Sequence, residues 1–485
     1  METGDVKTSR LDPDGWMRKR FPSVFHSKMG KCFERRRSGT ATILSPFRFS
    51  LCLGPTGSPD SPIRYSTEAG AFFRYSPREG IYKQVTNKEV ERRFFDVLDE
   101  CAHSMKSSKH VQMVHSVQRP SEARAVVSAL QGEGSFPDPT QRRDLRYLHV
   151  ENGILDIHDL KLLPFSPDRP SAWKVPVAWN PGSPEPVRFR EMMDRLFPDS
   201  EDRELALEVL ASAFLGNPFQ RFVLMTGAPG TGKSSLIRML SALLGPGASG
   251  GLRLRHVNSK FTAHSWAGRL LLYAPEVEQS DLNEGLEALK AISGHDPITA
   301  ERKYGPELTF TPQALPILVS NHRHLRLPAE SSGGAVARRL VSFDVPEPDR
   351  PIDVQPDFVD RLIEHEGPAI LELLLATAHK LHHSGSLRPL TEGQTARNEL
   401  FLGVGDPLTS WARTHVQRKD GASLLRDEAI PSAQVWLAER HLDYPNSTTG
   451  WSRRLKAVLK GAGGTWAESV GERGQGKGWR GLTLR

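Results

Sequence analysis

The spacing of apolar residues changes several times along this 485-residue chain, and each change marks a predicted segment. Residues 1–65 mix basic clusters with Pro, Gly and Ser and have weak periodicity, so we expect a poorly ordered basic arm. In residues 66–215, alternating stretches around Ser76–Gly80 and Asn152–Gly153 predict hairpins, and apolar residues three and four apart predict helices. We expect these residues to form an α+β accessory domain with a helical collar.

The remaining sequence predicts three further parts. Residues 216–348 alternate apolar strands with amphipathic helices, as in a parallel α/β domain. Residues 349–400 are predicted to be helical, because one face is apolar from Phe358 to about His383. Residues 401–485 hold three predicted short helices and a basic, Gly-rich end, which indicates a compact C-terminal domain. The expected fold class is therefore α/β.

Composition excludes several classes of protein. Counted without Tyr and with Gly, the apolar share is about 45%, which is ordinary for a chain that buries a core, so global disorder is excluded. No apolar run approaches the roughly 18–20 residues that span a bilayer, and the first thirty residues contain no continuous apolar stretch. Cys32, Cys52 and Cys101 are far apart and lack CxxC spacing. We therefore expect a soluble, cytoplasmic protein with reduced thiols and no membrane partner.

The net charge of +7 is concentrated at the two ends of the chain. Residues 1–40 carry ten Lys and Arg against five Asp and Glu, and residues 451–485 carry eight against two. The two ends therefore have net charges of +5 and +6, which leaves −4 for the residues between them. Basic ends favour contact with a polyanion such as nucleic acid, although a solvated basic surface without a partner has the same composition.

The segment FVLMTGAPGTGKSSLIRML carries the strongest chemical signal. An apolar strand leads into Gly227, Gly232, Lys233 and Ser234 at the spacing of a P-loop, and an apolar helix follows. Glycines let successive backbone N–H groups approach phosphate oxygens at a helix N-terminus. Lys233 is predicted to neutralise the β- and γ-phosphates of ATP, and Ser234 to bind Mg²⁺. The candidate nucleotide-binding residues are Gly227, Ala228, Pro229, Gly230, Thr231, Gly232, Lys233, Ser234 and Ser235.

Two carboxylates follow a second apolar strand, in GRLLLYAPEVE. ATP hydrolysis needs a carboxylate near the metal and the attacking water, and P-loop proteins place it at the end of a neighbouring strand. Glu276 and Glu278 alternate after the strand, so both face the phosphates if the backbone stays extended. We assign Glu276, together with Ser234, to the metal and Glu278 to the role of a second acid. The reverse assignment of the two glutamates remains open.

A third apolar strand, in ALPILVSN, ends at Asn321. A polar side chain at this position is placed to orient the attacking water against the γ-phosphate. An Asn after a strand is also a common turn former, and that interpretation remains open. His322 and His324 lie beside it but lack other spaced ligands, so we expect no metal site there.

Five motifs follow one another between residues 220 and 345: GAPGTGKS, GRLLLYAPEVE, LKAISGHDPITAERKYG, LPILVSNH and AVARRLVSFDVP. In this order and spacing the chain resembles the superfamily 3 helicases of the AAA+ class. The resemblance is to the branch that contains the poxvirus primase-helicase and the helicase portions of many phage and plasmid primases. It implies an AAA+ P-loop NTPase motor, an α+β accessory domain before it and a C-terminal winged-helix domain after it.

The resemblance also implies a hexameric ring that translocates on single-stranded DNA with ATP and Mg²⁺. Arg338 and Arg339 match the family's arginine finger position, where one of them enters the neighbouring subunit's ATP site; two surface arginines are the alternative. A hairpin with Arg302, Lys303 and Tyr304 at its tip would face the ring channel. The candidate DNA-binding residues are Lys290, Arg302, Lys303, Tyr304, Arg453, Arg454 and Lys456.

These features favour an ATP-dependent DNA helicase that acts in the replication of a phage, plasmid or related mobile element. The implied partners are single-stranded and forked DNA, further copies of the chain, and a replication initiator or primase. The alternative is an origin-remodelling or helicase-loading factor that hydrolyses ATP without unwinding. No primase domain is expected, because the early carboxylate pair, Asp12 and Asp14, lies far from any apolar run.

Overall fold

The computed structural model describes residues 12–24, 31–35, 42–54, 62–132, 136–141, 144–256, 263–301, 307–323, 325–327, 334–347, 356–402, 407–439, 448–470 and 476–485. They form a mixed α/β protein with two compact units. The first unit contains the described residues of Met1–Arg142, Leu163–Lys174 and Arg302–Leu308. The second unit contains those of Arg143–Leu162, Val175–Glu301 and Thr309–Arg485.

The first unit combines helices with two small antiparallel sheets. Its elements are α1 (Pro13–Arg20), β1 (Phe33–Arg35), β2 (Thr42–Leu44), α2 (Pro46–Leu53), β3 (Ile63–Ser66), β4 (Ala71–Ser76), β5 (Ile81–Val85), α3 (Asn87–His103), α4 (Ser108–His115) and α5 (Pro120–Gln131). Strands β3, β4 and β5 form a meander, and the β4–β5 hairpin lies where the alternating sequence predicts it. Helix α3 begins at a capping box in which Thr86 and Glu89 bind each other's backbone N–H groups.

The described segments before residue 54 are packed into a core, which corrects the expectation of a poorly ordered arm over residues 1–65. Met17 and Phe49 are fully buried against α3 and α5. Asp14 joins two of the segments, because its carboxylate accepts hydrogen bonds from the N–H groups of residues 32 and 33 at 2.8 and 3.0 Å. Periodicity missed this packing because the apolar residues belong to very short elements that are buried only by helices later in the chain.

The three cysteines lie in the same core. Cys32, Cys52 and Cys101 are buried and form no disulfide. Burial raises the pKa of the Cys101 thiol to about 12, so it stays protonated at neutral pH. In the part of the chain that the structure describes, no helix combines the length and the apolar composition needed to cross a bilayer.

The remaining elements belong to the second unit, apart from residues at the ends of β8 and β13. Those before the P-loop are β6 (Tyr147–Val150), β7 (Gly153–Asp156), β8 (Lys161–Leu163), α6 (Val187–Leu196), α7 (Ser200–Ser212) and β9 (Phe222–Thr226). Those after it are α8 (Lys233–Leu244), β10 (Ser249–Gly251), β11 (Leu271–Ala274), α9 (Gln279–Gly294), β12 (Ile298–Ala300), β13 (Leu308–Phe310), β14 (Leu315–Val319), β15 (Leu340–Asp344), α10 (Phe358–Ser384) and α11 (Glu392–Phe401). The last six are α12 (Pro407–His415), β16 (Val416–Leu425), α13 (Arg426–Ala438), α14 (Thr448–Gly461), β17 (Thr465–Val470) and β18 (Gly476–Leu484).

Five parallel strands in the order β10–β11–β14–β9–β15 form the centre of the second unit. Strands β14 and β9 are buried along their whole length. Their sequences, LPILV and FVLMT, are continuous apolar runs, as expected for parallel strands covered on both faces. The predicted α/β class is confirmed at this level: a mixed α/β protein with a parallel-sheet core.

The last six elements are three strands and three helices. The strands form an antiparallel sheet in the order β16–β18–β17, and the helices pack against it. Trp411, Trp436, Trp451 and Trp479 meet in its core. Large aromatic side chains at helix and strand positions bury much apolar surface for a segment of this size. The described part of residues 401–485 therefore has its own compact core.

The two units do not divide at the predicted end of the accessory segment, residue 215. Elements β6, β7, α6 and α7 belong to the second unit. The carboxylate of Glu366 in α10 accepts hydrogen bonds from the N–H groups of residues 188 and 189, each at 3.0 Å. Arg397 in α11 forms a two-pronged ion pair with Asp202 in α7, at 2.6 and 2.9 Å. These partners are 177 to 195 residues apart, beyond the range of any periodic pattern.

Asp202→Ala is expected to destabilise the second unit by about 3 kcal/mol, because Arg397 then keeps a mostly buried charge without its carboxylate partner. Only 14% of the Arg397 side chain and 16% of the Asp202 side chain are exposed. The control is Glu399→Ala on the same helix, which removes a more exposed ion pair with Arg413 and should cost below about 1 kcal/mol. Urea unfolding followed by circular dichroism measures both, and equal losses would contradict the assignment.

Candidate nucleotide-binding site

The P-loop connects the carboxyl end of β9 to the start of α8, and its backbone requires glycine at three positions. Gly227, Gly230 and Gly232 have φ angles of 146°, 78° and 99°, in the region that other residues rarely adopt. At Gly227, a Cβ would also lie 2.3 Å from the carbonyl oxygen of Val345. The loop therefore has the tight backbone that its sequence predicts.

The N-terminus of α8 presents a row of backbone donors. Gly232 caps the helix in a left-handed conformation and without a side-chain hydrogen bond. Its carbonyl accepts from the N–H groups of residues 235 and 236 at 3.0 and 3.1 Å. Across the described residues, the N–H groups of residues 230–234 have no protein acceptor. Such a helix N-terminus, with its positive end of the helix dipole, binds anions and phosphate groups in particular.

Lys233 lies inside the loop, with 3% of its surface exposed. Its Nζ donates hydrogen bonds to the carbonyl oxygens of Gly227 and Ala228 at 2.8 and 2.7 Å, and to Thr231 Oγ1 at 3.0 Å. Burial, followed by the positive charge of Arg323, lowers the pKa of Lys233 to about 8. The ammonium is therefore still charged at neutral pH and can form an ion pair with a phosphate beside the loop.

The two glutamates after β11 have different surroundings. Glu276 is exposed and has no ion-pair partner among the described residues. Glu278 precedes α9, and its N–H donates to the Asp281 carboxylate at 2.8 Å in a capping box. Arg255 Nη2 donates to Glu278 Oε2 at 2.7 Å. Glu278 thus has partners that support the start of the helix, whereas the carboxylate of Glu276 is accessible.

Asn321 is exposed just after β14, the strand between β9 and β11. The residue before it, Ser320, is fully buried and joins three strand ends. Its N–H donates to the Met225 carbonyl in β9 at 2.9 Å, and its hydroxyl donates to the Val277 carbonyl, between the two glutamates, at 2.7 Å. The same hydroxyl accepts from the N–H of His322 at 3.1 Å. Ser320 therefore sets the spacing of the P-loop strand, the acidic segment and Asn321 at the carboxyl edge of the sheet.

Arg338 and Arg339 lie at the opposite edge, before the first residue of β15. The side chain of Arg338 is exposed and forms no hydrogen bond or ion pair with the described residues. Arg339 is half-buried, and its Nη1 donates to the Lys290 carbonyl in the last turns of α9 at 3.0 Å. A Cβ on Gly294 would lie 2.8 Å from Nη2 of the same guanidinium. Because β15 has five residues, about 16 Å separate Arg338 from the carboxyl edge of its own sheet.

The candidate DNA-binding hairpin is only partly within the described chain. Its predicted tip, Arg302, Lys303 and Tyr304, lies outside the described residues. Strands β12 and β13 on either side form a two-stranded sheet, and the hydroxyls of Thr299 and Thr309 lie 3.0 Å apart across it. Lys290 is paired within its own helix, with its Nζ 2.7 Å from the Glu287 carboxylate. The predicted hairpin thus has its base, and Lys290 has an intramolecular partner.

Helix α14 carries the basic residues predicted for the C-terminal domain. Arg453 and Arg454 are exposed on it. Lys456 is half-buried, and its Nζ lies 3.9 Å from the centroid of the Trp466 ring, which is a cation–π contact. The helix therefore presents Arg453 and Arg454 to the surface and directs Lys456 onto its own sheet.

Sequence reasoning missed two residues of this site. Ser320 is the last small residue of an apolar run, and only its hydrogen bonds distinguish it from a core residue. Arg323, two residues after Asn321, lies against Val345 at the base of the P-loop. A charged residue so close to the end of a buried strand is a weak signal, because most such residues are solvated.

The residues at the carboxyl edge fit ATP with Mg²⁺. The described residues contain no group of three or more His, Cys, Asp and Glu placed to bind a metal. A magnesium ion at a P-loop needs fewer protein ligands, because substrate phosphates and water supply the others. The exposed hydroxyl of Ser234 and the exposed carboxylate of Glu276 are oxygen ligands of the kind that Mg²⁺ prefers.

Two family models match the chain. Residues 58–198 match the family described as "D5 N terminal like", and residues 225–339 match a family of unknown function, DUF5906. The second match runs from the P-loop strand to Arg339. Both fall on segments for which the sequence resembles replication primase-helicases, and they agree with that resemblance at the level of a primase-helicase-like protein.

Among solved structures, the chain is similar to two apo structures of the C-terminal region of NrS-1. Each is 10% identical, and the alignments cover 88% of this chain and 97% of the other chain, with TM-scores of 0.44 and 0.43. No curated protein matches the chain significantly. At this distance, neither the activity nor the assembly of this chain follows from the likeness.

Nucleotide affinity is expected to fall above about pH 8. As pH rises through the lowered pKa of Lys233, about 8, the ammonium loses the charge that attracts phosphate. Affinity should therefore be constant below about pH 7 and decrease above about pH 8. Titration of a fluorescent ATP analogue at a series of pH values measures this. The matched control is Lys233→Arg, in which the guanidinium stays charged over this pH range. The affinity of this variant should be weaker but should not vary with pH. The same decline in both proteins would contradict the prediction.

Proposed function

We propose that the chain is an ATP-dependent DNA helicase that works as a hexameric ring in the replication of a phage, plasmid or related mobile element. One observation carries the proposal: one parallel sheet has the P-loop, Glu276 and Asn321 at its carboxyl edge and an exposed Arg338 at its amino edge. Head-to-tail interfaces can close into a ring, and in the proposed ring the amino edge of one subunit faces the carboxyl edge of the next. A complete ATP site then contains residues from two subunits.

Within one subunit, the phosphates of ATP bind to the N–H groups of residues 230–234 and to Lys233. These N–H groups have no acceptor among the described residues, and this supports the assignment. Ser234 and Glu276 would hold Mg²⁺, which would supply positive charge against the charge that develops on the phosphoryl group. Binding at a buried Lys233 also replaces water around the phosphates with fixed donors.

Glu276 is the acid that faces the phosphates in this proposal. The carboxylate of Glu278 accepts a hydrogen bond from Arg255, and its N–H donates to Asp281 at the start of α9, so we assign Glu278 a supporting role in this proposal. Asn321 orients the attacking water, because it lies just after β14, the strand between the P-loop strand and the acidic strand. This strand arrangement supports an AAA+ motor of the superfamily 3 type.

The C-terminal segment supports DNA binding. Its order of helix, strand, two helices and two strands corresponds to that of a winged-helix domain. Arg453 and Arg454 are exposed on α14, and we propose that they contact the phosphates of duplex DNA near the fork. We propose a replication initiator or primase as a partner protein.

We assign the arginine finger to Arg338 and not to Arg339. Arg339 donates to a carbonyl near the C-terminus of α9, where the helix dipole favours a positive charge. Arg338 is exposed and lies about 16 Å from the carboxyl edge of its own sheet, so it serves only the site of another copy.

Arg338→Ala is expected to lower the kcat of ATP hydrolysis about 10³-fold or more with little change in KM, because a finger stabilises the transition state. Arg339→Ala is expected to lower thermal stability and to keep kcat within about tenfold of the wild type. A coupled ATPase assay with single-stranded DNA measures both, and mass measurement confirms that each variant assembles. Equal losses of kcat in the two variants would contradict the assignment.

A mixing experiment separates a finger in trans from a local effect. Lys233→Ala subunits keep the finger, and Arg338→Ala subunits keep the P-loop. When the two inactive proteins are mixed in equal amounts, about a quarter of the interfaces in a random ring are complete. Recovery of ATPase activity supports sites shared between subunits, and no recovery in mixed rings argues against them.

The hairpin distinguishes a helicase from a loading factor. Replacing both Arg302 and Lys303 with Ala is expected to leave basal ATPase activity and to abolish unwinding of a forked substrate, because two phosphate contacts per subunit are lost. In the control variant, Lys106 and Lys109 are both replaced with Ala. These are two exposed lysines of the first unit, so the variant loses the same charge and should unwind the substrate normally. Unwinding by the hairpin variant would count against the channel hairpin, and ATPase activity without unwinding in the wild type would favour the loading factor.

A further inference from the structure

Arg323 contacts both the nucleotide site and the C-terminal segment, defined here as residues 407–485. Only 12% of its side chain is exposed. Its Nη2 donates to the Val345 carbonyl at 3.2 Å, and its Nε lies 3.3 Å from Asp344 Oδ1. Its Nη1 donates to Oε2 of Glu439, the residue after α13, at 3.0 Å. One guanidinium therefore has partners on both sides.

The contact with Val345 lies at the base of the P-loop. The N–H of Val345 donates to the Thr226 carbonyl at the end of β9 at 2.7 Å. The Val345 carbonyl is also the atom that a Cβ on Gly227 would meet at 2.3 Å. The charge of Arg323 acts on Lys233, where it is the second cause, after burial, of the lowered pKa. An anion bound by Lys233 is therefore within the electrostatic range of Arg323.

A cavity of about 1240 Å³ adjoins this contact. Its lining includes Thr226, Arg323 and Asp344 from the sheet side, and Trp436 and Glu439 from the C-terminal segment. A packed interior resists changes in spacing, but no side chains fill this volume. The spacing of the two sides therefore depends on the contacts around the cavity, and the Arg323–Glu439 ion pair is one of them.

We propose that Arg323 makes the position of the C-terminal segment depend on the nucleotide. The inference rests on the proposed ATP binding and adds the regulation of that site. Phosphates beside Lys233 lie within the field of the same guanidinium and repel the carboxylate of Glu439, because like charges in a partly buried region raise each other's energy. ATP therefore loosens the Arg323–Glu439 pair and the end of α13, and loss of the phosphate charge restores them.

Linkage gives this coupling a sign that a purely structural contact does not have. If the nucleotide must weaken the ion pair, removing the charge of Glu439 removes that cost and tightens nucleotide binding. If the pair only supports the fold, removing it leaves nucleotide affinity unchanged or weakens it. The direction of the change in affinity therefore distinguishes a positioning residue from a structural one.

The experiment uses the full chain and adenylyl imidodiphosphate with Mg²⁺. We expect Glu439→Gln to bind this analogue roughly two- to fivefold more tightly than the wild type, the range of a partly exposed ion pair. The control, Glu468→Gln, removes an ion pair with Lys477 inside the same segment, and its affinity should equal that of the wild type. Hydrogen exchange is the second readout: the analogue should speed exchange in peptides of α13 in the wild type and change it little in Glu439→Gln.

The binding measurement separates failure of the inference from failure of the proposed function. If the wild type does not bind the analogue, the proposed ATP site is wrong, and the inference falls with it. If the wild type binds the analogue but exchange in α13 does not change, the inference alone is overturned. Equal or weaker affinity in Glu439→Gln overturns it as well.

Discussion

All five strands of the central sheet run in one direction, and the positions of the candidate ATP-site residues at its two edges follow from that constraint. The residues that follow β9, β11 and β14 meet at the carboxyl edge, and the residues that precede β15 lie at the amino edge. Ladder hydrogen bonds and burial on both faces keep the two edges apart. The P-loop and Arg338 therefore cannot meet within one subunit. Cooperation between them requires a second copy, and this is the physical basis of the proposed ring.

The carboxyl edge is held together by a few buried polar contacts. The hydroxyl of Ser320 links β14 to the acidic segment, and its N–H links β14 to β9. Lys233 and Arg323 bring two positive charges into a partly buried region, where they are costly unless carbonyls and carboxylates compensate them. Gly227, Ala228 and Val345 supply carbonyls to these groups. The carboxyl edge therefore holds two hydrogen-bonded positive charges, which the proposed ATP site requires.

Much of this could be predicted from local sequence. The strands around the P-loop, the hairpin at Asn152–Gly153 and the helix after Lys233 all lie where periodicity and turn residues predict them. The packed segments before residue 54 were missed, because their burial depends on α3 and α5 and not on their own pattern. The division into units was missed for a similar reason, since Arg397 holds Asp202 from 195 residues away.

The sequence by itself determined the motifs and their order, because a P-loop, a hairpin turn or an amphipathic helix depends on residues within about one or two turns of chain. Only the tertiary structure decided which members of each candidate pair have other partners. It places Glu278 against Arg255, and Arg339 against the end of α9, whereas Glu276 and Arg338 form no ion pair with the described residues. These choices come from contacts between segments that are distant in sequence, and side-chain spacing along the chain contains no information about them.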